Sequence, residues 1–251
     1  MSLMIQKRLV EQLKSPAAAF SVADLRIGLG YTVVRLNDGH GGVAWTPKTE
    51  SHSCTHVHQA GTMTGRPAEE LLSLLADGES EIGRAIGLAT ANALLAALPR
   101  PAASREEVIA SLNITRDDKV VMVGYFAPVI TQIRPIGCEL KVVELNPHRG
   151  ETISADEGRA VLADASVAIL TGTSVVNGTC DDLLSSLRSP RAAVLLGPSS
   201  PFCPEAFSGT GLTHIAGSRV REPDAVLRIV SEGGGTMIMK KHLDFETVLV
   251  S

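Results

Sequence analysis

Five short apolar runs in the second half of the chain constrain the fold more than any other feature. They are built mostly from Val, Ile, Leu and Ala, and segments of helical spacing or length separate most of them. Runs of this length and composition are typical of strands buried on both faces. Such an alternation predicts βαβ units and a parallel sheet whose strand-to-helix loops lie at one edge. The runs are residues 120–123, 140–145, 167–170, 193–196 and 214–216.

The first hundred residues follow a different pattern. A helical stripe of apolar residues should end at Ser15-Pro16, because the residue before a proline disfavours helix. Three alternating segments then predict a meander, and two helices follow, the second rich in Gly and Ala, so that another element can approach it closely. The predicted helix, strands and helices are residues 4–14, then 19–27, 31–36 and 43–46, then 67–75 and 82–98.

A proline-containing segment at residues 98–103 separates the two patterns and indicates a linker. It divides the chain into a small α+β domain over residues 1–103 and a parallel-sheet domain over residues 104–251. The predicted fold class is therefore α/β. Near the end of the chain, residues 236–239 and 245–250 are expected to form edge strands or closing segments.

Charge and hydropathy exclude several classes of protein. The net charge of −4 over 251 residues provides no basic field for nucleic acid or an acidic membrane. No apolar run reaches the roughly 18 residues of a membrane span, and the N-terminus has no secretory segment. The four cysteines form no CxxC pair, which favours a reduced, cytoplasmic protein. The expected partner is a small molecule, and the sequence leaves open whether the protein forms a homo-oligomer.

The loop at residues 171–179 carries the strongest sign of a ligand site. It reads Thr-Gly-Thr-Ser-Val-Val-Asn-Gly-Thr and lies between a buried strand and a helix, at the edge where open α/β sheets bind ligands. An ordinary βα turn whose side chains bond their own backbone is the competing interpretation. The last threonine of the loop is also a predicted helix cap. The candidate ligand-binding residues here are Thr173, Ser174, Asn177 and Thr179.

Three further loops should reach the same edge. The loop after residue 123 has only Gly124 of a dinucleotide fingerprint, although its aromatic residues suit a base. An acid twenty residues later stands where a ribose-binding acid would stand. The loop at residues 197–204 contains three prolines, two serines and Cys203, whose thiol we expect to be half-buried and inert. A nucleophile or a soft-metal ligand is the alternative role for this thiol. The candidates from these loops are Tyr125, Phe126, Glu144, Asn146, Ser199 and Ser200.

A histidine-rich loop in the first half suggests metal binding. His52, Cys54, His56 and His58 are spaced by two, so that on a strand they would face one way. The ends of that row would be ~20 Å apart, too far for one ion. Structural zinc sites more often combine pairs that turns bring together. An exposed loop that is merely histidine-rich is the competing interpretation, and a transient or substrate-borne divalent metal ion stays open as the cofactor.

Four segments together resemble one known family: Gly30-Tyr31-Thr32-Val33-Val34, Gly42-Val43-Ala44-Trp45-Thr46, the loop at 171–179 and Gly197-Pro198-Ser199-Ser200-Pro201. They are similar to the putative heavy-metal chelation family, a group of prokaryotic proteins of unknown function, over essentially the whole chain. The resemblance implies a front half like the N-terminal domain of enolase, a Rossmann-like back half and a cleft between them. The enolase barrel with its magnesium carboxylates has no counterpart here, so enolase chemistry is not expected.

The sequence leaves three candidate functions. The first is a small-molecule site in the interdomain cleft for a metal or a metal-chelating compound, with Tyr31 or Thr32 capping the ligand from the front. The second is a nucleotide- or S-adenosylmethionine-dependent enzyme that uses Glu144 and Tyr125 or Phe126. The third is a non-enzymatic metal carrier that uses the histidine-rich loop. No nucleophile, base and orienting residue are tied together by sequence, so enzyme and binder stay equally open.

Overall fold

The computed structural model describes residues 4–48, 57–77, 80–144 and 153–250. It contains one three-stranded sheet and one seven-stranded sheet. The strands are β1 (Val22–Ile27), β2 (Tyr31–Leu36), β3 (Gly41–Trp45), β4 (Ala103–Ser104), β5 (Lys119–Val123), β6 (Glu139–Val143), β7 (Val167–Thr171), β8 (Ala192–Leu196), β9 (His214–Val220) and β10 (Leu243–Leu249). The helices are α1 (Met4–Ala17), α2 (Ala68–Asp77), α3 (Glu81–Ala97), α4 (Val108–Ser111), α5 (Ala127–Ile133), α6 (Ala155–Ala163), α7 (Ser174–Asn177), α8 (Cys180–Ser186), α9 (Pro204–Phe207), α10 (Pro223–Ser231) and α11 (Thr236–Met239), with 3-10 turns at Arg134–Ile136 and Lys240–His242.

The larger sheet has the strand order β4-β10-β9-β8-β7-β5-β6. The strands from β6 to β9 are parallel, whereas β10 runs antiparallel to β9 and the two-residue β4 runs antiparallel to β10. The chain therefore leaves β5 toward β6 and returns to continue through β7 on the other side. Such a reversal opens a crevice at the carboxyl ends of the two strands involved, here β5 and β7. The predicted α/β class, with a small antiparallel unit before a mostly parallel sheet, is confirmed.

Two predicted elements differ from the structure. Residues 236–239 were expected as an edge strand or a closing segment, and they form helix α11 rather than a strand, with only Met239 buried. A short apolar run does not distinguish strand from helix by periodicity, which is why the prediction was wrong. Helix α1 continues past Ser15 to Ala17. The proline costs one backbone hydrogen bond near the end of the helix, and the complete burial of Ala17 holds the last turn in place.

Alternate residues of the central strands point into two different hydrophobic clusters. In β7, Ala168 and Leu170 belong to the cluster that also contains α1, α2 and α3, while Val167 and Ile169 face α4 and α5. The front half of the chain therefore packs on one face of the parallel sheet. The predicted boundary after residue 103 falls within β4 and stays a prediction. Within the part of the chain that the structure describes, no helix combines the length and apolar character needed to cross a membrane.

Strands β2 and β3 of the three-stranded sheet are buried on both faces. Val34 and Ala44 face the cluster that contains α1, α2 and α3. Val33 and Val43 face the opposite way and pack in a third cluster with residues of α10, including Val226. The small sheet is therefore a middle layer, covered by its own helices on one face and by a helix from the C-terminal part of the chain on the other.

Helix α3 lies unusually close to its neighbours. A Cβ atom at Gly42 of β3 would be 2.2 Å from the backbone nitrogen of Ala93 and 2.3 Å from the carbonyl oxygen of Ala89. At Gly87 of α3 a Cβ atom would be 2.4 Å from the backbone nitrogen of Leu75 in α2. The expectation that a Gly- and Ala-rich helix admits close neighbours is therefore confirmed.

We expect the substitution Gly42→Ala to destabilise the fold by roughly 2 kcal/mol or more, because its methyl group would force strand β3 away from the backbone of α3. The matched control is Gly30→Ala, where no atom lies within 4 Å of the added Cβ. Urea unfolding of both variants beside the parent protein measures the difference. Equal stability of the two variants would contradict the close approach of β3 to α3.

Candidate functional site

The loops that follow β5, β7 and β8 meet at the carboxyl edge of the parallel strands. We call them the Gly124 loop (124–126), the Thr171 loop (171–179) and the Gly197 loop (197–203), and together the rim. A Cβ atom at Gly172 would be 2.5 Å from Ser200 Oγ, so the last two loops touch. A Cβ atom at Gly124 would be 3.0 Å from Thr171 Cβ, and its φ of +96° favours glycine. Loops distant in sequence are therefore adjacent in space.

Phe126 spans the rim. Its ring lies 3.3 Å from the Cβ position of Gly124 and 3.9 Å from that of Gly197. The ring packs against the hydrophobic cluster on the face of the sheet that carries α4 and α5, opposite the face that carries the front half. Tyr125 is more than a third exposed, and its backbone N–H donates a 3.0 Å hydrogen bond to Glu144 Oε2. The acid at the end of β6 therefore reaches the rim and holds the Gly124 loop.

The Thr171 loop makes several hydrogen bonds to itself. The Ser174 hydroxyl is buried and donates to the carbonyl oxygen of Thr171 at 2.7 Å. The hydroxyls of Thr171 and Thr173 are 3.0 Å apart. Asn177 Oδ1 accepts from the N–H and the hydroxyl of Thr179, at 3.1 and 2.7 Å. Thr179 is the N-cap residue of α8, as predicted, but it makes no side-chain cap hydrogen bond, and its hydroxyl donates to Asn177 Oδ1 instead.

Two side chains of the front half hold the Thr171 loop from behind. Gln6 Nε2 donates to the carbonyl oxygen of Val175 at 2.9 Å, and Arg84 Nε donates to that of Val176 at 2.5 Å. Both donors are buried. Sequence reasoning missed them, although a polar residue on an otherwise apolar helix face was a usable signal. Their contacts orient α7 so that Thr173 and Asn177 stay half-exposed while Ser174 is covered.

The two serines of the Gly197 loop have different surroundings. Ser199 Oγ accepts a 2.8 Å hydrogen bond from the Trp45 N–H, and Asn92 Nδ2 donates to the carbonyl oxygen of Val43 at 2.8 Å. Ser199 and Asn92 thereby satisfy the outer edge of strand β3. Ser200 is only 1% exposed, and its hydroxyl has no hydrogen-bond partner among the described residues. Ser199 therefore links the Gly197 loop to the front half, whereas the Ser200 hydroxyl is a buried polar group without a partner among the described residues.

The two candidate residues of the front half, Tyr31 and Thr32, form side-chain hydrogen bonds with residues outside the rim loops. The Tyr31 hydroxyl lies 2.7 Å from Thr236 Oγ1 of α11, and burial raises the pKa of this tyrosine. Thr32 is fully buried, with its hydroxyl 2.9 Å from Thr46 Oγ1. Tyr31 pairs with Trp45 across β2 and β3, so it reaches the Gly197 loop only through that neighbour.

Most of the predicted metal-binding loop lies outside the described residues. His52, Cys54, His56 and also Asn146 fall there, and His58 is exposed. Among the residues that the structure describes, no three His, Cys, Asp or Glu side chains stand together in a metal-binding group.

The described thiols are poor metal ligands. Burial raises the pKa of Cys180 to about 12 and that of Cys203 to about 11. Burial also raises the pKa of Cys138. A raised pKa disfavours the thiolate, the form that binds metals, so these thiols are weaker ligands than an exposed cysteine would be.

Two cavities lie away from the rim. One of about 510 Å³ in the front half is lined by apolar residues that include Leu25, Ile27 and Met63. A smaller one of about 180 Å³ at the amino ends of the strands is lined by residues that include Lys119 and Glu139. No rim residue lines either cavity. Any ligand site at the rim is therefore a surface cleft formed by loops rather than one of these cavities.

Two family models match the chain, and both are described as Putative heavy-metal chelation. DUF364 matches residues 107–249, more than half of the chain, and DUF4213 matches residues 10–95. An uncharacterised protein of Methanocaldococcus jannaschii is 27% identical over 246 residues, which cover 94% of this chain and 93% of that protein. The sequence relationship therefore extends over nearly the whole chain.

Two crystal structures of DUF364 proteins of unknown function share the fold. The protein from Pyrococcus horikoshii has a TM-score of 0.86 at 23% identity, and the match covers 98% of this chain and 100% of that chain. The protein from Desulfitobacterium hafniense has a TM-score of 0.78 at 22% identity, with 95% and 98% covered. At these identities the likeness concerns the fold alone.

The buried thiol of Cys180 should make stability fall at alkaline pH. Its folded pKa of about 12 lies above the ordinary value of 9.0, so its contribution is complete below pH 9 and is lost as the pH rises toward 12. Thermal unfolding from pH 8 to 10.5 should show Cys180→Ala losing about 2 kcal/mol less stability than the parent protein. Cys138→Ala, at a half-exposed thiol, is the control. Parallel pH profiles for Cys180→Ala and the parent protein would contradict the burial of this group.

Proposed function

The chain belongs to the family described as Putative heavy-metal chelation, and from this premise we propose that it binds a small molecule that carries or chelates a metal ion, in the cleft where the rim faces the front half. The observation that supports this most directly is the contact of Gly172 with Ser200, which joins two polar loops at the end of the parallel strands. Ligands of open α/β sheets bind at this edge, beside the point where the strand order reverses.

The half-exposed polar groups of the Thr171 loop define what the site would hold. Thr173, Asn177 and Thr179 offer hydroxyl and amide groups, which hydrogen-bond oxygen or nitrogen atoms of a small molecule. Neutral groups of this kind bind a heavy-metal ion weakly on their own, since soft metals prefer thiolate and imidazole. The metal would therefore arrive already held by its chelator, and the protein would recognise the complex.

The Ser200 hydroxyl adds a reason to expect a bound molecule. A buried polar group without a partner costs about 1–3 kcal/mol, so native proteins seldom leave one unmatched. Ser200 lies where the Thr171 and Gly197 loops touch, next to the proposed cleft. A ligand atom or an ordered water at the loop junction would supply the missing hydrogen bond.

A second function is favoured by one specific contact. Glu144, the candidate ribose-binding acid, reaches the Gly124 loop through the N–H of Tyr125. This arrangement suits a nucleotide or S-adenosylmethionine near the crevice between β5 and β7. The absence of further glycines in the Gly124 loop argues against close approach of a pyrophosphate. The third function, a metal carrier based on the histidine-rich loop, depends on His52, Cys54 and His56, which lie outside the described residues.

Thermal-shift measurements on the purified protein separate these functions. The probes are Zn²⁺ alone, citrate and 8-hydroxyquinoline with and without Zn²⁺, ATP and S-adenosylmethionine. We expect a chelator or its zinc complex to stabilise the protein by about 2.7 kcal/mol at 100 times its Kd. The double variant Thr173→Val/Asn177→Ala should weaken this binding at least tenfold. Thr131→Val, at an exposed threonine of α5, is the control.

The other outcomes would each favour a different function. Stabilisation by ATP or S-adenosylmethionine alone would support the nucleotide site and refute the chelate site. Stabilisation by Zn²⁺ alone that disappears in His52→Ala/His56→Ala would support the carrier. Binding of a chelate that is unaffected by Thr173→Val/Asn177→Ala would show that the ligand binds outside the Thr171 loop.

A further inference from the structure

We propose that the front half contains a second ligand site, separate from the rim, for an uncharged and mainly apolar small molecule. The site is the cavity of about 510 Å³ between strand β1 and the segment at residues 57–64. Its volume lies within the roughly 300–1,000 Å³ that is usual for small-molecule sites. The described residues that line it are Leu25, Ile27, Val57, Ala60, Gly61, Met63, Thr64 and Ile82.

The described residues that line this cavity carry no charge, and the Thr64 hydroxyl is the single polar side-chain group among them. Met63 is only 5% exposed, whereas Ile27 is 40% exposed, so the cavity extends from the hydrophobic core to the surface. An apolar molecule that enters it exchanges water for apolar walls, which is favourable. A charged molecule would lose hydration without gaining an opposite charge, which is costly.

One wall of the cavity is the outer edge of the small sheet. The Gly28 N–H donates a 2.9 Å hydrogen bond to the carbonyl oxygen of Tyr31, so these two residues are a hydrogen-bonded pair of β1 and β2. Such pairs alternate with non-bonded pairs along an antiparallel ladder. In the register of these strands Arg26 is therefore also bonded to β2, whereas the backbone N–H and C=O groups of Leu25 and Ile27 point toward the outer edge.

The two outer edges of the small sheet differ in their hydrogen bonding. At β3 the side chains of Ser199 and Asn92 bond the outward backbone groups. At β1 the segment before α2 bonds the edge as far as Val22. Beyond that point no described residue forms a backbone hydrogen bond with the outward groups of Leu25 or Ile27. Apolar walls with a few backbone donors and acceptors are typical of small-molecule sites, so the ligand should carry one or two hydrogen-bonding groups.

The smaller cavity of the molecule lacks these properties. It has a volume of about 180 Å³, and its lining includes Lys119, Glu139, Lys141 and Asp164. Lys119 forms an ion pair with Asp164, and Lys141 Nζ lies 2.8 Å from Glu139 Oε1. The charges there already neutralise each other, so they create no demand for a ligand. The larger, uncharged cavity of the front half is therefore the one that we assign to a ligand.

Titration with the fluorescent dye N-phenyl-1-naphthylamine tests the assignment. This dye is uncharged, carries one N–H group and becomes brighter in apolar surroundings. Its analogue 8-anilino-1-naphthalenesulfonate has the same rings and a negative charge. We expect the uncharged dye to bind at least tenfold more tightly than the sulfonate, because the described lining of the cavity contains no cation.

Two variants at exposed positions locate the bound dye. Ala60→Trp should fill the cavity, and Ile27→Asp should place a charge at its opening, so each should weaken binding of the uncharged dye at least tenfold. The matched control is Leu29→Asp, because Leu29 is 80% exposed, lies two residues beyond Ile27 and does not line the cavity. Bound dye should also slow hydrogen exchange of the Ile27 N–H in the parent protein.

Several results would overturn the assignment. Absence of dye binding, or binding that Ala60→Trp and Ile27→Asp both leave unchanged, would show that this cavity takes no such ligand. Equal affinity for the sulfonate would refute the uncharged class. Dimerisation in light scattering that Ile27→Asp abolishes, without dye binding, would show that a second copy of the chain covers the β1 edge instead. The rim variant Thr173→Val/Asn177→Ala should leave dye binding unchanged, so this site and the chelate site succeed or fail separately.

Discussion

The burial of strands β2 and β3 on both faces is the constraint on which the rest of the structure depends. One face of β2 and β3 packs against α3 and the other against α10, a helix that begins about 180 residues later in the chain. A Cβ atom at Gly28 would be 2.3 Å from the carbonyl oxygen of Val230, and Arg35 forms a 2.7 Å ion pair with Asp224. Such close packing tolerates little relative movement. The front and back halves are therefore one packed unit, whatever their separate sequence patterns.

The same packing determines what the rim can offer to a ligand. Ser199 is bonded to Trp45, Ser174 bonds its own loop, and the carbonyl groups of α7 accept hydrogen bonds from Gln6 and Arg84. These groups hold the loops in place. Other groups of the same loops, on Thr173 and Asn177, stay half-exposed because the fastened groups occupy the inner side. The interpretation as a self-bonded turn and the interpretation as a ligand site are therefore compatible, because different residues of the Thr171 loop would serve the two roles.

The sequence predicted what depends on local pattern and missed what depends on distant partners. The short apolar runs predicted strand β7 and its parallel pairing. The small residues of α3 predicted the close approach of neighbouring elements to this helix. The hydrogen bond of Ser199 to Trp45 joins residues 154 positions apart, and no local pattern encodes it. Asn177 was expected to face a ligand. Its side-chain oxygen accepts a hydrogen bond from the Thr179 hydroxyl, and this contact depends on the geometry of the turn. Which polar residues remain free depends on tertiary packing.

A buried guanidinium joins the two halves behind the rim. Arg219 and Glu246 are almost fully buried, and the guanidinium also donates to the carbonyl oxygen of Leu95 in α3 and lies 4.8 Å from the Phe202 ring centroid. Because an unpaired charge in such a place would be very costly, these contacts keep β9, β10, α3 and the Gly197 loop together. These contacts hold the rim loops in fixed positions relative to the front half, which is what the proposed binding of a preformed complex requires. Binding of a bare ion would instead require several charged or soft ligands to converge on one point, and the described residues contain no group of three such ligands.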